Sequence, residues 1–152
     1  MIKIICDTRD KPEYRWTFDE MLKDGEEIDV RKLDTGDYSI EGLEDFISID
    51  RKKSVNEIIS NISGATDRIR FRKELDRAKG IAHFFIMCEF SIDDVLKGSK
   101  FSKVSPSYIL SALAGMELTY PNLSVHYAGS SKNAEILTYR ILSRAAGLKG
   151  LK

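Results

Sequence analysis

Two cysteines, two histidines and three prolines are all that 152 residues contain of those types, and each scarcity narrows what the chain can be. Cys6 and Cys88 lie far apart in separate apolar runs, so they read as buried thiols in a reducing compartment rather than as a disulfide framework. His83 and His126 have no zinc-ligand spacing to them or to each other, which argues against a structural zinc site. No apolar run approaches the ~18 residues a membrane span requires. The apolar opening, Met1 to Cys6, is too short for a signal peptide and runs directly into charged residues. A soluble, cytoplasmic chain with no membrane partner is expected. Repeats, low-complexity segments and long linkers are also missing, so residues 1–152 are expected to form one domain.

Net charge is zero, but the two signs are unevenly placed. Residues 1–50 hold 15 acids and 7 bases, a net of −8, and residues 51–152 hold 9 acids and 17 bases, a net of +8. A protein that holds a cation with carboxylates and a phosphate backbone with bases needs both signs in different places.

Hydrophobic periodicity supplies the elements. Ile2–Cys6 reads as a buried strand, Thr17–Lys23 as a short helix with Glu20 completing a capping box, and Ile28–Leu33 as a half-exposed strand. Tyr38–Ile40 and Phe46–Ile49 flank turn residues as a hairpin. Ser54 caps a helix that ends at Gly64, and a charged helix follows over Asp67–Lys79 with Phe71, Leu75 and Ala78 on one face. His83–Phe90 reads as a central strand, Asp93–Lys97 as a helical turn and Gly98–Lys103 as a mobile loop. Ser105-Pro106 opens a helix to about Leu118, Leu123–Tyr127 is a strand, and Ser131 or Asn133 caps a last helix from about Ala134 to Ala146. The fold class expected is α/β, a mixed central sheet with helices on both faces.

The residues that carry chemistry lie around the hairpin. In a strand, residues i and i+2 point the same way, so Asp50 and Lys52 project together while Arg51 faces the opposite side. If the two hairpin strands pair, Asp37 comes level with Asp50, and two carboxylates converge with an ammonium. Phosphodiester hydrolysis uses such a group: carboxylates hold a hard divalent cation, and a lysine orients water and offsets charge. The backbone carbonyl of Arg51 is a further oxygen available to the metal. The helix after it carries Arg68, Arg70, Arg72, Lys73, Arg77 and Lys79 against Asp67, Glu74 and Asp76, a net of +3 in 13 residues, enough for several phosphate contacts. Lys97, Lys100 and Lys103 offer a second track for phosphates.

Asp7-Thr8-Arg9-Asp10, Gly36-Asp37-Tyr38, Asp50-Arg51-Lys52-Lys53-Ser54-Val55-Asn56 and Arg68 follow one another in the order of the motifs of the XPF family of structure-specific endonucleases, which the chain resembles over nearly its whole length. The resemblance implies a restriction-endonuclease-like core that cuts DNA, on branched, flapped or junction substrates, with Mg²⁺ or Mn²⁺. It implies that Asp37 and Asp50 are metal ligands, that Asp7 is a further acid near the metal, that Arg9, Arg51 and Lys52 lie near the scissile phosphate, and that Arg68 touches substrate. The family's metal-binding Glu is Asp50 here, and its final Asp is Asn56. These departures motivate an alternative, a catalytically inactive DNA-binding relative that pairs with an active nuclease. The family's usual helix-hairpin-helix module is not expected within this chain, and the apolar helices after Ser105 could join two copies as a homodimer.

Overall fold

A computed structural model describes residues 2–99 and 102–151. Six strands form one sheet in the order β2-β1-β3-β4-β5-β6: β1 Lys3–Cys6, β2 Glu27–Val30, β3 Tyr38–Ile40, β4 Ile47–Lys52, β5 His83–Cys88 and β6 Leu123–Tyr127. β1 runs parallel to β2 and antiparallel to β3; β3 runs antiparallel to β4; β4, β5 and β6 are parallel. The helices are α1 Val55–Ser63, α2 Asp67–Arg77, α3 Ile92–Leu96, α4 Pro106–Thr119 and α5 Ser131–Leu148, with a 3-10 turn at Ala78–Gly80. No helix among the described residues is long and apolar enough to cross a membrane.

Strand alternation divides the core in two. Ile4, Cys6, Tyr38, Ile40, Ile47, Ile49 and Met87 point to the face covered by α5, where they meet Tyr139, Leu142, Ala145 and Ala146. Phe84, Ile86 and Cys88 point to the other face, against Ile58 and Ile62 of α1, Phe71 and Leu75 of α2, and Ile109 and Leu113 of α4. Both thiols are free and buried, and burial pushes Cys6 up to about 11 and Cys88 up to about 12. On β1, β3 and β4 the positions turned away from α5 include Ile5, Ser39, Ser48, Asp50 and Lys52. That polar strip sits on the face where α1 and α2 pack.

Several boundaries differ from the sequence expectation. No helix forms over Thr17–Lys23. A seven-residue helix has little stability of its own, and here tertiary anchors take over. Trp16 and Phe18 are both inserted into the α5-side core, two residues apart, a pairing that a helix would point in opposing directions. Phe18 adopts φ 55°, and its N–H donates to Glu135 Oε2 on α5 at 2.8 Å. β2 stops at Val30 rather than Leu33, because the chain bends so that Leu33 is buried and its N–H reaches Asp7. α5 starts at Ser131, one turn earlier than expected, and Ser130 is its cap, accepting from the N–H of Asn133 at 3.0 Å. Ser54 caps α1 as expected, accepting from Glu57 N–H at 3.1 Å. Within the loop over 98–103, Lys100 and Phe101 lie outside the described residues.

Candidate active site

β3 and β4 pair with Tyr38 opposite Ile49, so Asp37 and Asp50 are neighbours across the hairpin. The pairing is pinned by backbone bonds at the acid itself. Asp37 N–H donates to Ile49 O at 2.7 Å, and Asp37 O accepts from Asp7 N–H at 2.8 Å, which ties all three strand ends together. One carboxylate oxygen of Asp37 accepts from Arg51 N–H at 2.7 Å. Burial, and then the adjacent Asp50 carboxylate, raise the Asp37 carboxyl well above the usual carboxylate range.

Gly36 makes the approach to Asp37 possible. It has φ +86°, and a Cβ there would stand 2.0 Å from Ser48 Oγ, whose hydroxyl donates to Thr35 O at 2.8 Å. Only glycine occupies that left-handed position without strain.

Asp50 and Lys52 do project together. Both are at least nine-tenths buried, and Lys52 Nζ stands 3.1 Å from Asp50 Oδ2 and 4.8 Å from the centre of the Phe71 ring. That ion pair lacks hydrogen-bond geometry, and Asp50 Oδ2 is buried with no hydrogen-bond donor. Burial works against the Lys52 ammonium, but the carboxylates of Asp50, Glu74 and Glu57 outweigh it and hold its pKa above the ordinary lysine value.

Glu74 of α2 also belongs to this group, although its sequence neighbourhood marks it only as one acid of a basic helix. It lies within hydrogen-bonding reach of Asp50, its Oε1 is buried without a donor, and burial followed by the Asp50 charge raises it to about 8. A small cleft of about 150 Å³ opens beside it, lined by Lys52, Asn61, Asp67, Arg70, Phe71 and Glu74. The signal was present in the sequence: positions 71, 74, 75 and 78 form the inner stripe of α2, and Glu74 is the one acid in it.

Asp7 and Arg51 are placed differently from the other candidates. The Asp7 carboxylate is fully buried and already supplied with donors: Leu33 N–H at 2.7 Å, Arg9 N–H at 3.1 Å and Arg9 Nε at 2.5 Å. Arg9 also donates to Leu33 O at 2.8 Å, and its side chain remains 56% exposed. The Arg51 guanidinium lies on the α5 side of the sheet, 4% exposed, 4.1 Å from the centre of the Trp16 ring. It donates to Glu89, to Asp10 Oδ2 at 3.1 Å, to Tyr14 O at 2.5 Å and to Ser131 Oγ at 3.4 Å. Asp10, in turn, is held below the usual carboxylate range: burial would raise it, but the Tyr38 hydroxyl, Lys53 and Arg51 together prevail. Thus Arg51 meets the acid group through its backbone N–H, while its side chain locks the Asp10–Tyr14 loop under the strand.

The basic residues of α2 are all exposed and fall into two rows. Arg68 and Arg72 share one side at i, i+4. Arg70, Lys73 and Arg77 share another at i, i+3, i+7. The second row runs from the cleft beside Lys52, where Arg70 pairs with Asp67 at 3.0 Å, to a groove of about 800 Å³ lined by Arg77, Arg9, Arg31 and Lys32 over Ser39 and Ser48.

Among the described residues no three Asp, Glu, His or Cys side chains are gathered closely enough to hold a metal ion as they stand. The chemistry of Asp37 and Asp50 nevertheless suits a hard cation, since their converging carboxylates offer oxygen atoms only.

Two predictions follow from this geometry. Gly36→Ala is expected to lower unfolding free energy in urea by about 1–3 kcal/mol, through the strained backbone and the clash with Ser48. A loss below about 0.5 kcal/mol would mean the turn relaxes freely. For metal-free protein, Glu74 keeps its proton to about 8 when folded against an ordinary value of 4.5. The folded state therefore binds more protons between those values, so stability is present below about 4.5 and is lost as pH rises through about 8. Thermal melts across that range should fall in wild type and fall less steeply in Glu74→Gln, with the raised Asp37 carboxyl supplying the slope that is left.

Comparison with known proteins agrees with this architecture. Residues 6–141 match the ERCC4 domain. No curated protein matches the sequence. Among solved structures the chain is similar to XPF from Aeropyrum pernix, with a TM-score of 0.68 and 16% identity, over 97% of this chain and 61% of that one. It is similar also to XPF from Aeropyrum pernix in complex with DNA, with a TM-score of 0.64 and 17% identity, over 99% of this chain and 66% of that one. The chain thus spans about two-thirds or less of those proteins' described length, and at such identity the likeness is one of fold: a mixed six-stranded sheet flanked by helices, the restriction-endonuclease-like fold of XPF. By the match across residues 6–141, the chain belongs to the ERCC4 domain family.

Proposed function

We propose that the chain is a divalent-cation-dependent endonuclease that hydrolyses DNA phosphodiester bonds, on branched, flapped or junction substrates. The observation that carries the reading is the Asp37–Asp50 carboxylate pair, half-buried at Asp37 and buried at Asp50, with Lys52 Nζ 3.1 Å from Asp50 Oδ2. Membership of the ERCC4 domain family and a fold neighbour solved with DNA support it.

Asp37 and Asp50 would hold Mg²⁺ or Mn²⁺, with the Arg51 carbonyl as an additional oxygen and Asp7 bracing Asp37 through the backbone. Bound there, the cation supplies a Lewis acid for phosphate charge and a lowered pKa for water. A carboxylate pair with remaining positions filled by water and substrate phosphate is the ordinary way proteins bind Mg²⁺. Lys52 is rigid, dry on its stem and charged, so it orients a water at the phosphate and offsets negative charge in the transition state. Its closeness to Asp50 keeps the two opposite charges balanced before substrate arrives. Arg70, Lys73 and Arg77 offer one line of phosphate contacts, Arg9 another at the groove, and Arg68 and Arg72 a third around the helix. None of these groups reads base edges, so recognition by DNA shape is expected rather than by sequence.

The alternative, an inactive DNA-binding relative, is favoured by Asn56, which cannot supply a charge and whose Oδ1 accepts from Ser99 Oγ at 2.6 Å. Pairing of two copies remains part of the reading, on a reduced surface. On α5, Leu142 is buried in the core, Leu137 and Ile141 are partly buried against it and Ile136 is exposed, while Ile141 and Leu148 lie beside Phe46 and Phe85 in an apolar groove.

The test is cleavage of labelled flap, fork, four-way-junction and linear duplex DNA with Mg²⁺ or Mn²⁺. Wild type should cut branched substrates, and Asp50→Ala and Lys52→Ala should each cut at least about a hundredfold more slowly. Wild type that binds branched DNA and cuts none of it would replace this reading with the inactive one.

A further inference from the structure

α4 is apolar around most of its circumference, and Glu117 is its one charged residue. A helix of that kind is ordinarily enclosed. Here only Ile109 and Leu113 are fully buried, while Tyr108 is 54% and Leu118 86% exposed. Between α4 and α2 lies a cleft of about 240 Å³, lined from α4 by Tyr108, Ala112, Gly115, Met116 and Thr119 and from α2 by Arg72. Gly115 stands in mid-helix, where glycine costs stability relative to alanine. A Cβ there would meet nothing within 4 Å, so packing does not demand glycine at this position; an added side chain would only fill the hollow.

α2 supplies the charge. Its buried stripe of Phe71, Leu75 and Ala78 has a basic row on either flank, Arg70, Lys73 and Arg77 on one side and Arg68 and Arg72 on the side of α4. Arg70 pairs with Asp67 and Lys79 with Asp76, whereas Arg68 and Arg72 stand within ion-pair distance of no acid among the described residues. Nor does any acid among the described residues line the cleft, so nothing in it repels an anion. An exposed aromatic ring, an unfilled slot and an unpaired guanidinium across it suit an unpaired nucleotide: the ring stacks on the base and the guanidinium takes the phosphate. A duplex keeps its bases stacked on one another and has no such face to offer.

We propose that the cleft between α2 and α4 binds an unpaired nucleotide of branched DNA, its base on Tyr108 over Gly115 and its phosphates at Arg72 and Arg68. The inference rests on the reading of the chain as a nuclease of branched DNA, and it gives the two flanks of α2 different parts of that substrate. The row beside the catalytic cleft follows the duplex that is cut, and the row beside α4 follows the strand that leaves it. Stacking accepts any base, in keeping with recognition by shape.

Fluorescence anisotropy tests this on a labelled flap DNA with a single-stranded arm and on the same junction with that arm made duplex, with Ca²⁺ in place of Mg²⁺. Thermal melts in parallel show that each variant is folded. Tyr108→Ala should weaken binding of the single-stranded arm about tenfold, and Gly115→Leu, which fills the slot with a good helix former, about as much. Both should bind the duplex-armed junction within about twofold of wild type, and Tyr108→Phe, which keeps the ring, should bind both DNAs as wild type does. If Tyr108→Ala and Gly115→Leu bind the single-stranded arm as wild type does, or lose both DNAs alike, the cleft is not the site, and the nuclease reading stands on its own cleavage test. Wild type that binds neither DNA would overturn both.

Discussion

Like charges do not gather in a protein interior unless the backbone leaves them no alternative, and here the register of one hairpin is that constraint. With Tyr38 opposite Ile49, Asp37 must lie beside Asp50, and the bonds from Asp37 N–H to Ile49 O and from Asp7 N–H to Asp37 O leave no room to slip. A shift of one residue would send Asp50 and Lys52 to the α5 core and bring Arg51 to the polar face. Gly36 enforces the register from the turn side, since its left-handed backbone packs directly against Ser48.

The two faces of β4 divide the work of the site. The Asp50–Lys52 face gathers charge that is only partly neutralised: three acids, one lysine and too few donors. The Arg51 face is the reverse, a guanidinium with carboxylates, a carbonyl, a hydroxyl and the Trp16 ring around it. Removing a partner from a buried network of that kind is costly. A satisfied network on one side of a strand gives the rigidity with which an unsatisfied group on the other can be held ready. The loop over Asp10–Phe18 belongs to this support, with Trp16 N–H donating to Tyr38 hydroxyl and Phe18 N–H to Glu135.

Much of this was legible from local rules. The i, i+2 relation of Asp50 and Lys52 is a property of any strand, Ser54 is a cap by its chemistry, and Gly36-Asp37 announces a turn. What escaped the sequence depended on long-range partners. The helix expected at Thr17–Lys23 had a cap and a stop, but Trp16 and Phe18 were drawn into a core assembled from α5, 115 residues or more away. Glu74 is one of three acids on a helix rich in bases, and what sets it apart is its place around the helix, on the stripe of Phe71, Leu75 and Ala78. The family resemblance puts Arg51 near the scissile phosphate, whereas strand alternation, legible in the sequence, turns its guanidinium to the other face. The rows on α2 likewise follow from helical geometry, whereas their alignment with the cleft and the groove depends on how α2 packs against the sheet.

The central claim is that the hairpin register builds a cation site from carboxylates. Crystals grown with Mn²⁺ and measured at a wavelength where manganese scatters anomalously test it most directly. The account predicts an anomalous peak bonded to the carboxylates of Asp37 and Asp50. A fully ordered hairpin with no peak there would contradict it.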